Sequence, residues 1–243
     1  MKKILQMNTK VAFITGGTKG IGLGVAEALI AEGTKVILTS RSKTDAQKIA
    51  DKLNADKAEQ VAVGLEADVR HFDAVEDAVR KGLEEFGQID YVIANAGLGH
   101  FGSIEEITHE QWHQVIDTNL TGVFNTIKAT VEALSESKGY FISISSLAGT
   151  NFFAKGTAYN ASKFGLTGFT QALMLDLRDK GIKVSTIMPG SVSTYFNGNE
   201  PDANDAWKIQ PEDLGELVVD MFKLNPRTLP SKIEVRPSQP PKK

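Results

Sequence analysis

Apolar residues in this chain follow two alternating rhythms. Short, nearly continuous apolar runs stand at Val11–Thr15, Lys35–Thr39, Gln60–Glu66, Asp90–Ala94, Tyr140–Ser145, Lys183–Met188 and Lys232–Val235. Stretches such as Val36-Ile37-Leu38 and Tyr91-Val92-Ile93-Ala94 lack polar alternation, as strands buried on both faces require. Between them the apolar spacing becomes helical, near Ile21–Ala31, Thr44–Leu53, Asp73–Phe86, His109–Leu134, Ala158–Asp179 and Pro211–Leu224. Thr108 with Gln111 and Ser103 with Glu106 have capping-box spacing, and Pro211 suits a first helical turn. This alternation predicts an α/β fold: a doubly wound parallel sheet with right-handed crossovers, in three α/β/α layers. A single domain over residues 1–243 is expected. Within it, 1–9 reads as an N-terminal extension, 191–210 as a substrate lid rich in Asn, Asp and Gly, and 236–243 as a flexible tail with three prolines.

Composition narrows the function classes. The chain has no cysteine, which excludes disulfides, thiolate catalysis and Cys-ligated zinc, and suits a cytoplasmic protein. Met1-Lys2-Lys3 is not followed by the apolar run of a secretory signal, and every apolar stretch falls well short of the ~20 residues of a membrane span. Net charge is −3 with Lys and Arg dispersed, so neither nucleic acid nor membrane is an expected partner, while a local phosphate site remains open. His109 and His113 have helical i, i+4 spacing, but no third ligand stands nearby, so no metal is expected.

The first strand runs into Thr15-Gly16-Gly17-Thr18-Lys19-Gly20-Ile21-Gly22, and a helix begins there. Glycines let the backbone turn tightly and approach a pyrophosphate, whose charge is met by free N–H groups at the helix N-terminus. NAD-binding chains place an acid at the end of the second strand, about 20 residues on, to hold the ribose 2′-hydroxyl. Here Thr39-Ser40-Arg41-Ser42-Lys43 has none. Arg41 suits a two-point grip on a 2′-phosphate, with the Ser40 hydroxyl and Lys19 beside it, so NADP(H) is expected over NAD(H).

Tyr159-Asn160-Ala161-Ser162-Lys163 puts a phenol and an ammonium one helical turn apart. A cation ~4 Å away at an effective dielectric of about 20 favours a phenolate by ~4 kcal/mol, enough to bring an ordinary phenol close to 7 before any cost of burial. Ser145-Ser146 ends the fifth strand, Asn95 follows the fourth in Ala94-Asn95-Ala96-Gly97, and Asn119 is a polar amide within an apolar helix.

In order and spacing these residues resemble the short-chain dehydrogenase/reductase family, in its single-domain branch with a Rossmann-type fold. The likeness covers nearly the whole chain: Thr15-Gly16 to Gly22, Asp68, Asn95-Ala96-Gly97, Asn119, Ser146, Tyr159 with Lys163, and Pro189-Gly190 followed by Val192 and Thr194. Ser146-Leu147-Ala148-Gly149, 13 residues before Tyr159, matches the family's active serine better than Ser145 does. The resemblance implies a catalytic group of Asn119, Ser146, Tyr159 and Lys163. Tyr159 would exchange the proton as hydride moves to or from the nicotinamide, and Ser146 would hold the carbonyl oxygen. Lys163 would bind the ribose hydroxyls and lower the phenol, and Asn119 would hold a water linking Lys163 to solvent. It also places Asp68 and Val69 at the adenine, and Pro189, Gly190, Val192 and Thr194 at the nicotinamide amide.

Residues after strands four to six, among them Leu98, His100, Phe101, Phe152, Phe153, Tyr195, Phe196 and Trp207, form an apolar, aromatic set that suits a hydrophobic carbonyl compound or secondary alcohol. Phe152 and Phe153 suit a subunit contact equally, and His100 suits the surface equally. Through its two long helices the family resemblance implies a homodimer or homotetramer. The reaction read here is hydride transfer between NADP(H) and a carbonyl/alcohol pair. A 3-oxoacyl-carrier-protein reductase and a non-catalytic NADP(H) sensor stand as alternatives. The closing Leu229–Pro237 segment departs from the glycine-rich end of the former.

Overall fold

The computed structural model describes residues 9–239, so most of the expected N-terminal extension and the last four residues of the tail lie outside it. Seven strands and seven α-helices alternate along the chain: β1 (Val11–Thr15), α1 (Gly20–Ala31), β2 (Lys35–Ser40), α2 (Lys43–Asn54), β3 (Ala62–Glu66), α3 (Phe72–Phe86), β4 (Tyr91–Ala94), α4 (His109–Ile116), α5 (Gly122–Ser137), β5 (Tyr140–Ile144), α6 (Thr157–Leu177), β6 (Lys183–Pro189), α7 (Pro211–Lys223) and β7 (Lys232–Val235). All strands pair in parallel in the order β3-β2-β1-β4-β5-β6-β7. The order reverses between β1 and β4, and the crevice at such a point, outside the carboxyl ends of the strands, is where open α/β sheets bind ligands.

Two apolar layers sandwich this sheet. Val25 and Leu29 of α1, Ala46 and Leu53 of α2, and Leu214 and Val218 of α7 pack on one face. Val75 and Val79 of α3, Val123 and Ile127 of α5, and Leu166 of α6 pack on the other. Every residue of β1 and β5 is buried, which accounts for their unbroken apolar sequence. The edge strand β7 alternates exposed Lys232 and Glu234 with half-buried Ile233 and Val235. No helix among the described residues is long and apolar enough to cross a membrane.

Two local expectations need correction. The single helix expected over His109–Leu134 is α4, then a π turn at Asp117–Thr121, then α5 running on to Ser137. A π turn adds one residue without breaking the helical run, so apolar spacing does not register it; such turns gather at functional sites. The Ser103–Glu106 pair closes a turn, not a helix: the Ser103 N–H donates to Glu106 Oε2 at 2.7 Å, and α4 starts later, at the Thr108–Gln111 capping box.

The β3–α2 contact shows how closely the layers approach. A Cβ added to Gly64 would lie 2.1 Å from the Ala46 carbonyl oxygen and 2.8 Å from the Gln47 nitrogen. Both obstacles are backbone, so the layers themselves must part. Gly64→Ala is therefore expected to lower unfolding stability by about 3 kcal/mol, at the upper end for overpacking, read as a lower urea midpoint with unchanged slope.

Candidate active site

The crevice at the switch between β1 and β4 is a cavity of about 750 Å³. At one end it is floored by the glycine turn. Gly16 and Gly20 hold positive φ (63° and 53°), which a side chain would strain, and Cβ atoms there would crowd Ala96 and Thr194. Asn95 clamps this turn: its Nδ2 donates to the carbonyls of Thr15 and Gly16 at 3.0 Å each, while Thr15 Oγ1 accepts from the N–H groups of Asn95 and Ala96. Gly22 does not line the cavity; a Cβ on it would meet the Gly16 carbonyl at 2.4 Å, so it serves close packing. Helices α2 and α4 are capped by Ser42 and Thr108, whereas α1 has no side-chain cap. Its first residues, Gly20 and Ile21, line the cavity, where a helix start suits an anion.

Thr18, Lys19, Gly20 and Ile21 from the turn, Ser40 and Arg41 from the end of β2, and Asp68 and Val69 after β3 line the same end. The residues expected at the adenine and at the 2′ position therefore share one wall. Asp68 is itself held: Arg70 Nε and Nη2 donate to both its oxygens, keeping the carboxyl well below its usual range. Asn95, Ala96, Gly97 and Leu98 lie between this end and the next, with Pro189, Gly190, Val192 and Thr194 opposite.

At the other end Ser146, Tyr159 and Lys163 converge. Ser146 caps a short turn, its Oγ accepting from Ala148 N–H at 3.1 Å, while the Ser145 hydroxyl is buried against the Lys163 carbonyl and Thr167. Of the two hydroxyls, that of Ser146 is the one that acts on the Tyr159 phenol, favouring its ionised form. Lys163 is 5% exposed, its Nζ donating to the Ile144 carbonyl at 3.0 Å and lying 5.7 Å from the centre of the Tyr159 ring. Asn119 sits in the π turn and does not line the cavity. Its Oδ1 accepts from Leu98 N–H, and its Nδ2 donates to the Leu98 carbonyl and to Ser162 Oγ, so its amide ties β4's outlet to α6. Both Nδ2 protons and one of the two Oδ1 lone pairs are in use, so the side chain braces these two elements.

The substrate side is aromatic. Phe101 and Phe196 lie 5.3 and 5.6 Å from the Tyr159 ring, and Phe153 lies 6.0 Å from Phe101. Tyr195, Phe196, Leu98 and His100 line the cavity, the His100 ring bonded to Gln114. Phe152 lines neither this cavity nor the one beside it and is 86% exposed, which corrects its expected place at the substrate. Apolar character alone cannot tell an inward from an outward phenylalanine in a loop. The reading of the sequence also missed Thr118, Gly99 and Lys208, which line the cavity, and the wall made by Arg236–Gln239 beyond it. No spacing rule marks residues that reach a site from a distant turn.

Electrostatics correct the acid–base expectation. Burial pushes the Tyr159 phenol up, the Ser146 hydrogen bond only partly opposing it. Burial pushes Lys163 down to about 8. Low dielectric penalises the charged form of both groups, and the ammonium is turned to a carbonyl, so the phenol is not brought near 7 by Lys163 alone. At neutral pH Tyr159 is a proton donor and Lys163 is largely charged.

Fold and cleft together define a Rossmann-type α/β protein in which Ser146, Tyr159 and Lys163 meet at the far end of the cleft. The short chain dehydrogenase family profile matches residues 10–205, and the chain belongs to that family of oxidoreductases. It is 34% identical over 235 residues to an uncharacterized oxidoreductase of Staphylococcus saprophyticus, covering 96% of this chain and all of the relative. It is 35% identical over 221 residues to a trans-4-hydroxycyclohexanecarboxylate dehydrogenase of Sinomonas cyclohexanicum, covering 86% of this chain and 84% of the relative. Among solved structures, an alcohol dehydrogenase from the archaeon Thermococcus sibiricus complexed with 5-hydroxy-NADP superposes with a TM-score of 0.89 at 30% identity, covering 97% of this chain and 100% of that one.

Lys163 gives a pH signature. Its depressed folded value means that burying the cation weakens the fold below about pH 8, and the cost is relieved as pH rises toward the ordinary 10.5. Relative to Lys163→Met, the wild type is expected to gain about 3 kcal/mol of stability between pH 7 and 10.5, measured by urea unfolding of both proteins across that range.

Proposed function

We propose that the protein is an NADP(H)-dependent reductase of hydrophobic ketones or aldehydes, acting also on the matching secondary alcohols. The observation that carries this reading is one continuous cleft with Lys19 and Arg41 at one end, where β2 itself ends without an acid and Asp68 is paired with Arg70, and the Ser146–Tyr159–Lys163 group at its other end. The cradle fits a dinucleotide: Gly16 and Gly20 leave room where Cβ atoms would intrude, and the uncapped start of α1 offers N–H groups to a pyrophosphate. Arg41 and Ser40 would hold the 2′-phosphate, with Lys19 adding a second cation, and Asp68 and Val69 would flank the adenine. Pro189, Gly190, Val192 and Thr194 would hold the carboxamide end. The structure of a relative with an NADP derivative supports that choice.

When bound, the cofactor supplies the hydride donor or acceptor. The chain's own residues do the rest. Ser146 donates a hydrogen bond to the carbonyl oxygen, and Tyr159, kept protonated by burial, delivers its proton to the same oxygen as negative charge develops there. Lys163 stabilises the phenolate left behind and contacts the ribose hydroxyls. Phe101, Phe153 and Phe196 exclude water around the phenol and select an apolar substrate. Exposed Phe124 and Phe164 on α5 and α6 support a homodimer or homotetramer built on these helices, acting in the cytoplasm.

Two substitutions test the reading. Tyr159→Phe is expected to lower kcat by about 100-fold or more with cofactor affinity nearly unchanged, measured as NADPH oxidation over a panel of carbonyl compounds. Cofactor binding by the wild type without turnover on any of them would point to a sensor instead. Charged hydrogen bonds contribute about 1.5–3 kcal/mol, so Arg41→Asp is expected to lower kcat/KM for NADPH about 10–100-fold and shift preference toward NADH; unaltered selectivity would remove the cofactor assignment.

A further inference from the structure

Past Tyr159 the cleft opens into a second cavity of about 660 Å³ that shares Ser146, Tyr159, Gly190 and Ser191 with the first. Phe153 and Trp207 form its apolar side, and its remaining wall is the segment Arg236–Gln239 that leaves β7. This segment is tied to the site by its backbone. The Gly190 N–H donates to the Val235 carbonyl at 2.8 Å. A Cβ on Gly190 would lie 3.2 Å from Pro237 Cδ, a closeness that only a missing side chain permits comfortably. The loop after β6 and the chain after β7 therefore pack as one unit beside the reacting groups.

Among the described residues, Arg236 is the one charged residue in the lining of this second cavity, and no acid lies in that lining. It is held from behind. Glu234 Oε2 accepts from Arg236 Nη2 at 3.0 Å, while Glu234 Oε1 accepts from the Thr150 hydroxyl at 3.3 Å. That bond uses one of the five N–H donors of a guanidinium, and the other four have no acceptor among the described residues. Glu234 offsets part of the charge of this half-exposed guanidinium, but the donors it leaves free keep the fork geometry that matches a carboxylate. A phosphate dianion would call for a second cation, and the lining holds none among the described residues.

We infer that the substrate is a hydrophobic carbonyl compound, or its alcohol, that also carries a carboxylate, and that Arg236 binds this carboxylate while the reacting oxygen lies between Ser146 and Tyr159. The inference rests on the reductase reading for the place of the reacting oxygen. Arg236 takes no part in the proton or hydride step; it sets which substrates are held.

The test separates the two readings by pairing binding with turnover. Calorimetry on the enzyme–NADPH complex compares cyclohexanecarboxylate with the isosteric neutral cyclohexanecarboxamide. Turnover compares 4-oxocyclohexanecarboxylate with its methyl ester. The wild type is expected to bind the acid about ten-fold more tightly than the amide, and Arg236→Gln to bind the two alike, as loss of one charge-assisted contact implies. The same variant should raise KM for the keto acid about ten-fold while leaving kcat, and both constants for the ester, within about two-fold. Arg236→Lys should restore part of the preference. Equal binding of acid and amide by the wild type, a preference surviving in Arg236→Gln, or equal weakening of both ligands would overturn the assignment. A clear preference for the acid without NADPH oxidation on either ketone would keep Arg236 as an anion site and sink the reductase reading.

Discussion

The ammonium of Lys163 is a buried cation, held at a cost in solvation, and its site is arranged around it. It sits almost wholly buried at the carboxyl edge of the sheet, with the Ile144 carbonyl as its one protein acceptor. A cation in that position is poorly solvated, and a fold tolerates it where its charge is needed. Its place is dictated by α6, which carries Tyr159 one turn earlier and Ser162 beside it. The brace from Asn119 in the π turn holds that helix to the outlet of β4, and Gly97 keeps a side chain out of the space between Asn119 and Lys163. One buried charge is thus positioned by three elements far apart in sequence.

The opposite end of the cleft works by the reverse principle. There the site is open and its charges are exposed, so what matters is which groups are left unpaired. Helix α1 lacks the side-chain cap that α2 and α4 carry, and the turn before it is held in shape by Asn95 from the neighbouring strand. Backbone donors are therefore pre-aimed without any side chain competing for them. The two ends meet at the loop after β6, where Gly190 and Val192 border the first cavity and Gly190 also abuts the chain leaving β7. Cofactor end and substrate end are consequently coupled through a single short stretch of backbone.

Much of this was legible beforehand because its signals are local. Strands buried on both faces must be apolar throughout, so runs such as those of β1 and β5 stood out, and the bounds of the seven strands shifted by at most two residues in the structure. The Tyr159–Lys163 pair and the acid-free end of β2 are likewise patterns within a few residues. The π turn at Asp117–Thr121 was not legible, because one added residue in a continuous helix barely disturbs apolar spacing. Neither was the exposure of Phe152, nor the place of Arg236, since both depend on what packs against a loop.

The sequence by itself determined the order of elements, the parallel sheet and the placing of Tyr159 one helical turn before Lys163, because each follows from periodicity or from neighbours along the chain. Tertiary structure alone decided the electrostatics and the shape of the substrate end. Burial raises the phenol and lowers the ammonium, against the expectation from charge alone, because desolvation is a property of the surroundings that three dimensions supply. For the same reason a segment that read as a tail, Arg236–Gln239, is a wall of the cleft: Gly190 and Val235, 45 residues apart, meet in a single hydrogen bond.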